Sequence, residues 1–148
     1  MEAGADLSAE STHKMLGSLT QTSMLLARGG RVPSARIRAA SGVLQTTSPN
    51  EIFLAALDLA REQMEQDGAE RLGVLIRRAD DLRRRINDIP GLWAFGAEHM
   101  GAPGMAALDR TKLTVQVMGL GMTGFAAEEE LRRQGIACEL ADARNVLF

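Results

Sequence analysis

The sequence predicts an α/β chain, and three observations carry the prediction. An apolar stripe recurs at spacings of three and four over residues 72 to 86. A strand, glycine loop, helix and strand follow one another over residues 112 to 141. Ahead of both, residues 11 to 32 are rich in Thr, Ser, Gly and Leu, with short apolar pairs and a Gly29-Gly30 turn. With 148 residues the chain is the size of one ordinary domain. Such a domain buries roughly 68–70% of the surface its unfolded form exposes, so a real core is permitted.

Taken in order, residues 11 to 32 read as strand and loop, and a short helix follows from about Ser34 to Leu44. Ser48-Pro49-Asn50-Glu51 reads as a helix start, with Ser48 as N-cap, Pro49 in the first helical position and Glu51 reaching back. That helix is expected to run to about Gln66 and to be buried on more than one side, with Asp67-Gly68 interrupting it. A second helix carries Leu72, Leu75, Ile76, Ala79, Leu82 and Ile86 on one face and Arg77, Asp81 and Arg85 on a solvated one. Pro90-Gly91 ends it, Trp93 and Phe95 are expected to pack, and the glycine-rich stretch 96 to 104 reads as a linker. The last unit is a strand over Lys112 to Met118, a helix over Phe125 to Gln134 stopped by Gly135, and a strand over Ile136 to Ala141. Asn145 to Phe148 looks like the opening of a further strand.

The formal net charge of −2 and a pI near 5.7 give no electrostatic pull towards nucleic acid or an anionic membrane surface, so neither partner is expected. No apolar run is long enough to span a bilayer, and Met1 to Glu10 carries acids but no basic leader segment. The single cysteine, Cys138, cannot form an internal disulfide and lies in an apolar stretch, which suits a core position and a reducing cytoplasm.

Two motifs compete to be the site. Gly119-Leu120-Gly121-Met122-Thr123-Gly124 has the G-x-G-x-x-G form between a predicted strand and a predicted helix, and Asp142 stands at the end of the next strand. Read as a NAD or NADP site, the glycines admit a pyrophosphate to a helix N-terminus and Asp142 meets a ribose hydroxyl. Read structurally, they make a tight strand-to-helix turn and allow close packing. A third, non-catalytic reading uses the Leu72 to Ile86 stripe against a partner.

The other motif is Ser11-Thr12-His13-Lys14, continuing through Leu19-Thr20-Gln21-Thr22-Ser23. This string resembles the cofactor-lysine segment of the ornithine/lysine/arginine decarboxylases, pyridoxal-phosphate enzymes of fold type I. In the same order, Gly4-Ala5-Asp6 resembles the family's approach to the lysine, and Leu44 to Pro49 its segment before a long helix. Asp109 to Thr114 resembles its entry into the small domain, and Leu120 to Phe125 a turn it carries there. The resemblance thus accounts for the glycine loop as well. One position departs, since the family usually has a histidine where this chain has Leu26.

The resemblance implies a fold: the late part of a PLP-dependent transferase-like large domain with its linking helices, residues 1–95, and the beginning of a small αβ domain, residues 105–148. It also implies a reaction, decarboxylation of arginine, lysine or ornithine with pyridoxal 5'-phosphate as cofactor. Lys14 would hold the cofactor through its amine, Ser11 and His13 would contact the phosphate, and Thr47 would reach the phosphate of a neighbouring subunit. The full-length protein would be at least a dimer, and no metal is implied. The acid that pairs with the ring nitrogen and the group that stacks on the ring would come from upstream of the lysine segment. The 148 residues alone are therefore expected to be an inactive piece.

Overall fold

The computed structural model describes residues 4–148. By packing, the chain divides into two compact units, one running to Ala69 and the other from Glu70 to Phe148.

The first unit opens with an antiparallel pair. Strand β1 (Leu7–Glu10) lies beside β2 (Met24–Ala27), with Leu7 opposite Ala27 and Glu10 opposite Met24. The Arg28 amide extends the ladder to the Asp6 carbonyl at 2.9 Å, and an Arg31–Asp6 ion pair at 3.0 Å closes its open end. At the other end the chain makes a single helical turn, α1 (Thr12–Met15), before looping back into β2. Helix α2 (Ser34–Leu44) occupies the expected range and follows Pro33, whose φ of −59° suits the entry to a helix.

Helix α3 (Glu51–Asn87) corrects two expectations. Its N-cap is Asn50 rather than Ser48: the Asn50 carboxamide oxygen accepts from the amides of Ile52 at 3.0 Å and Phe53 at 3.4 Å. An Asn side chain here satisfies two orphan donors of the first turn, so the helix starts where that oxygen can reach. The helix also runs unbroken through Asp67-Gly68 for 37 residues. Gly68 is buried, and a Cβ built there would meet the end of the Met64 side chain at 2.7 Å. The glycine costs helix propensity of about 1 kcal/mol, but no backbone bond is lost and Met64 takes the space. Glu51 in the first turn and Arg84 and Arg85 in the last complement the helix dipole.

In the second unit a four-stranded sheet runs in the order β3 (Trp93–Ala94), β4 (Thr114–Gln116), β6 (Asn145–Leu147), β5 (Leu140–Ala141), every neighbouring pair antiparallel. β4 and β5 therefore run the same way, joined by α4 (Gly124–Arg133), but with β6 inserted between them. The expected strand–helix–strand order holds along the chain, while its two strands are not neighbours. β4 is shorter than the predicted Lys112 to Met118, though mutual Leu113–Phe148 bonds at 2.7 and 2.9 Å carry the pairing one residue further. Thr123 caps α4 through the Ala126 amide at 3.2 Å. Gly135, at a φ of +80°, ends it in a reversal sealed by the Ile136 amide on the Leu131 carbonyl.

Leu113, Val115 and Val117 alternate inward from β4 and pack with Ala94, Ala127 and Val146; Ile86 of α3, Leu92, Cys138 and Phe148 cover them in part. Burial pushes the Cys138 thiol above its ordinary value, in keeping with a packed cysteine. Trp93 and Phe95 meet edge to face at 5.7 Å, and the His99 ring stacks on Phe95.

Candidate active site

At the end of β1 the backbone leaves the strand at Ser11 (φ −75°, ψ 82°) and closes one helical turn, with the Lys14 amide on the Ser11 carbonyl at 2.9 Å and the Leu16 amide on the Thr12 carbonyl at 2.8 Å. The turn orients its side chains by burial. Thr12 is 3% exposed and anchors the turn from below, His13 is half-buried, and Ser11 and Lys14 are exposed. Hydroxyl, imidazole and amine thus come from one turn, with the amine in solvent. The structure brings together three of the four predicted residues.

His13 is held from outside the turn. Its Nδ1 lies 2.8 Å from the Thr22 carbonyl oxygen. Thr22 is 2% exposed, and its hydroxyl donates to the Leu19 carbonyl at 2.6 Å and sits 2.6 Å from the Ser18 hydroxyl. Gln21, immediately before it, adopts a φ of +77°, the one described residue other than glycine in the left-handed region. The Leu19-Thr20-Gln21-Thr22-Ser23 string is therefore the loop that carries His13. Ser18, Gln21 and Thr22 were not among the predicted site residues; the only signal was that string, which holds Gln21 and Thr22 and directly follows Ser18.

Thr47 stands apart. It lies on an exposed bend between α2 and α3 and shares no hydrogen bond with Ser11, His13 or Lys14. The donor set on the α1 turn suits a phosphate monoester: a free hydroxyl, an imidazole with one nitrogen open, and a cationic amine. The amine also suits an aldehyde, which only a nitrogen nucleophile among these groups can take up. Pyridoxal 5'-phosphate presents both functions.

The glycine loop is built differently. A Cβ on Gly119 would strike the backbone of Gly91, and one on Gly124 would strike the Asp142 and Asn145 carbonyls. The close approach that these glycines permit is taken by the protein's own backbone. Asp142 is likewise committed: its carboxylate accepts from the Arg144 and Asn145 amides, both at 2.7 Å. These bonds, the Arg144 amide first, hold the Asp142 carboxyl below its ordinary range. Gly119, Gly121, Gly124 and Asp142 thus form a turn and its lock.

On α3, Leu72, Leu75 and Leu82 are exposed, whereas Ile86 packs on the core. Arg77, Asp81 and Arg85 are on a solvated face as expected. Arg83 is not: it is 6% exposed and donates to the Phe95 carbonyl at 2.7 Å, the Lys112 carbonyl at 2.9 Å and Asp80 at 2.7 Å. Arg110 bonds the other Asp80 oxygen, and this bond above all holds the Asp80 carboxyl below its ordinary range. No helix among the described residues is long and apolar enough to cross a membrane.

Set against known proteins, residues 2–148 match the family described as Orn/Lys/Arg decarboxylase, major domain. An arginine decarboxylase of Halalkalibacterium halodurans is 43% identical over 148 residues, which are 99% of this chain and 30% of that protein. An arginine decarboxylase of Bacillus subtilis is 39% identical with the same coverage. The chain therefore spans about 30% of the length of these curated relatives. Among solved structures, the constitutive lysine decarboxylase of E. coli superposes with a TM-score of 0.74 at 21% identity, covering 96% of this chain and 25% of that one. The Francisella novicida lysine decarboxylase gives 0.77 at 20% identity, with 96% and 24% covered.

Proposed function

The chain belongs to the Orn/Lys/Arg decarboxylase family, and from that premise we propose that it is the cofactor-lysine portion of an enzyme that decarboxylates a basic amino acid with pyridoxal 5'-phosphate. The observation that carries this reading is the α1 turn, which offers the Lys14 amine to solvent beside the Ser11 hydroxyl and the His13 ring. When bound, the cofactor supplies an electron sink for the charge left on the α-carbon by departing carbon dioxide. Lys14 would hold the cofactor through its amine, the group on this turn suited to an aldehyde. Ser11 and His13 would hold the phosphate end of the cofactor, and Lys14 the aldehyde end. Thr47, on its exposed bend, would serve the phosphate of a neighbouring subunit in a homodimer or larger assembly. On this reading the passage from large to small domain in the intact enzyme would fall between residues 95 and 105. Arginine is the first substrate to test, since it names the relatives at 43% and 39% identity.

The chain contains two lysines, Lys14 and Lys112. Lys112 is engaged, with its Nζ 3.2 Å from the Thr111 hydroxyl and 3.5 Å from Asp109. Treating the chain with pyridoxal 5'-phosphate, reducing with borohydride and mapping the modified lysine by mass spectrometry is therefore a two-way contest. Lys14 should carry most of the label, and pyridoxal without its phosphate should lose that preference. Equal labelling of the two lysines with both reagents would sink the assignment.

A further inference from the structure

A backbone carbonyl can only accept a hydrogen bond, so the 2.8 Å contact between His13 Nδ1 and the Thr22 carbonyl requires the proton on Nδ1. A neutral imidazole has one N–H, which is then spent inside the protein. Its Nε2 is left with a lone pair and no protein partner, and it is not among the buried unpartnered atoms of the described residues, so it meets solvent. A bare Nε2 cannot donate to a phosphate oxygen. It faces that oxygen lone pair to lone pair until it gains a proton of its own.

Resting on the phosphate-site reading above, we propose that Thr22 is a positioning residue that locks His13 in the Nδ1–H form, so that a phosphate group binds the α1 turn only with uptake of one proton at His13 Nε2. The lock is built in layers. The Thr22 hydroxyl is tied to the Leu19 carbonyl and to Ser18, and the left-handed Gln21 turns the chain so that the Thr22 carbonyl meets the ring. A non-glycine residue in that region is strained and persists where the surroundings over-determine it. The charged groups around the ring are few. Lys14 is on the same turn, and Glu10, at the end of β1, accepts from the Ser8 hydroxyl. Residues 15 to 27, which form the loop and β2, carry no titratable side chain. Helix α3 meets the loop at Gly17 through Gln63, with Glu62 and Asp67 along the same recess.

The test uses the 148-residue chain with isotope-labelled histidine. Its two histidines, His13 and His99, are read side by side. With His13 neutral, long-range proton–nitrogen correlations should show a protonated Nδ1 and a bare Nε2; the opposite form overturns the proposal. Sulfate, whose charge is constant across the neutral range, is then titrated at several pH values. Its affinity should fall about tenfold per pH unit where free His13 is neutral. Bound sulfate should keep His13 doubly protonated to higher pH and leave His99 unmoved. His13→Gln, a donor that does not titrate, should bind sulfate equally at every pH. Sulfate that shifts the Ser11 and Lys14 amides while His13 stays neutral overturns the proton coupling and leaves the phosphate site standing. Sulfate that shifts nothing on the turn removes both. Thr22→Val should let the two neutral ring forms mix and Thr22→Ser should restore the single form; an unmixed ring in Thr22→Val overturns the role given to Thr22.

Discussion

Arg83 shows how a single side chain can join elements that its sequence position conceals. It stands four residues after Ala79 and three before Ile86, on the side of α3 that carries the apolar stripe. A charge at such a spacing signals a buried, fully partnered group rather than part of a solvated row. From there its guanidinium spans the carbonyls of Phe95 and Lys112 and the Asp80 carboxylate, joining α3 to the approaches of β3 and β4. Arg83→Met leaves the Phe95 and Lys112 carbonyls without their donor while Asp80 keeps Arg110, so the second unit should lose about 1–3 kcal/mol. Arg83→Lys should lose nearly as much, because one ammonium cannot replace a planar fork at the carbonyls of Phe95, Arg110 and Lys112 and the Asp80 carboxylate. Urea unfolding followed by the fluorescence of Trp93, the only tryptophan, reads this unit directly. Unchanged midpoints would show that the bonds contribute little net stability. That Ser11, His13 and Lys14 share one turn was readable from their adjacency in sequence, but the partner of His13 was not: the Thr22 carbonyl arrives through a left-handed glutamine, which composition and spacing do not announce.

Among the elements, glycines separate what the pattern could tell from what it could not. The strand, turn and helix of β4 and α4 were readable because inward residues alternate at Leu113, Val115 and Val117 and because Gly135 stops the helix. The continuity of α3 was not, since Gly68 looks like a break until Met64 is seen to fill its place. The two sites respond oppositely to an added methyl. At Gly68 the obstacle is the flexible end of Met64, and alanine gains helix propensity, so Gly68→Ala should be neutral or stabilising by up to about 1 kcal/mol. At Gly124 the obstacle is the backbone of the β5–β6 turn, which cannot yield, so Gly124→Ala should cost about 1–3 kcal/mol. Thermal unfolding of both variants beside the parent measures the contrast. Destabilisation at Gly68 as large as at Gly124 would mean that α3 packs more tightly than Met64 implies. The same crowding explains why the glycine loop mimics a dinucleotide fingerprint: close backbone approach selects the same residue whether the neighbour is a pyrophosphate or the Asp142 carbonyl.

For the whole molecule, strand insertion and the partners already taken by the nearest carboxylates bear on what these 148 residues can do. That β6 slots between β4 and β5 was beyond sequence reasoning, because short apolar strands carry no mark of their neighbours. The family was within reach, because a dense local string around Lys14 resembles it even in a chain that spans about 30% of its relatives' length. Holding a cofactor and running a decarboxylation make different demands. The first needs the α1 turn. The second also needs a carboxylate on the cofactor's ring nitrogen, so that the ring can accept electrons. The carboxylates nearest Lys14 along the chain are committed elsewhere, Asp6 to Arg31 at 3.0 Å and Glu10 to the Ser8 hydroxyl. Placement matters as much as presence, since a displacement of about 1 Å at the reacting atoms can cost ~100-fold. The 148-residue chain should therefore label at Lys14 yet release no carbon dioxide from arginine, lysine or ornithine beyond what free cofactor releases. Carbon dioxide release should be followed for the parent and for Lys14→Ala, with cofactor alone as the baseline. Release that rises above the baseline in the parent and disappears in Lys14→Ala would show that these residues supply the ring-nitrogen acid themselves. In that case Asp6 or Glu10 would have to leave its present partner to do so.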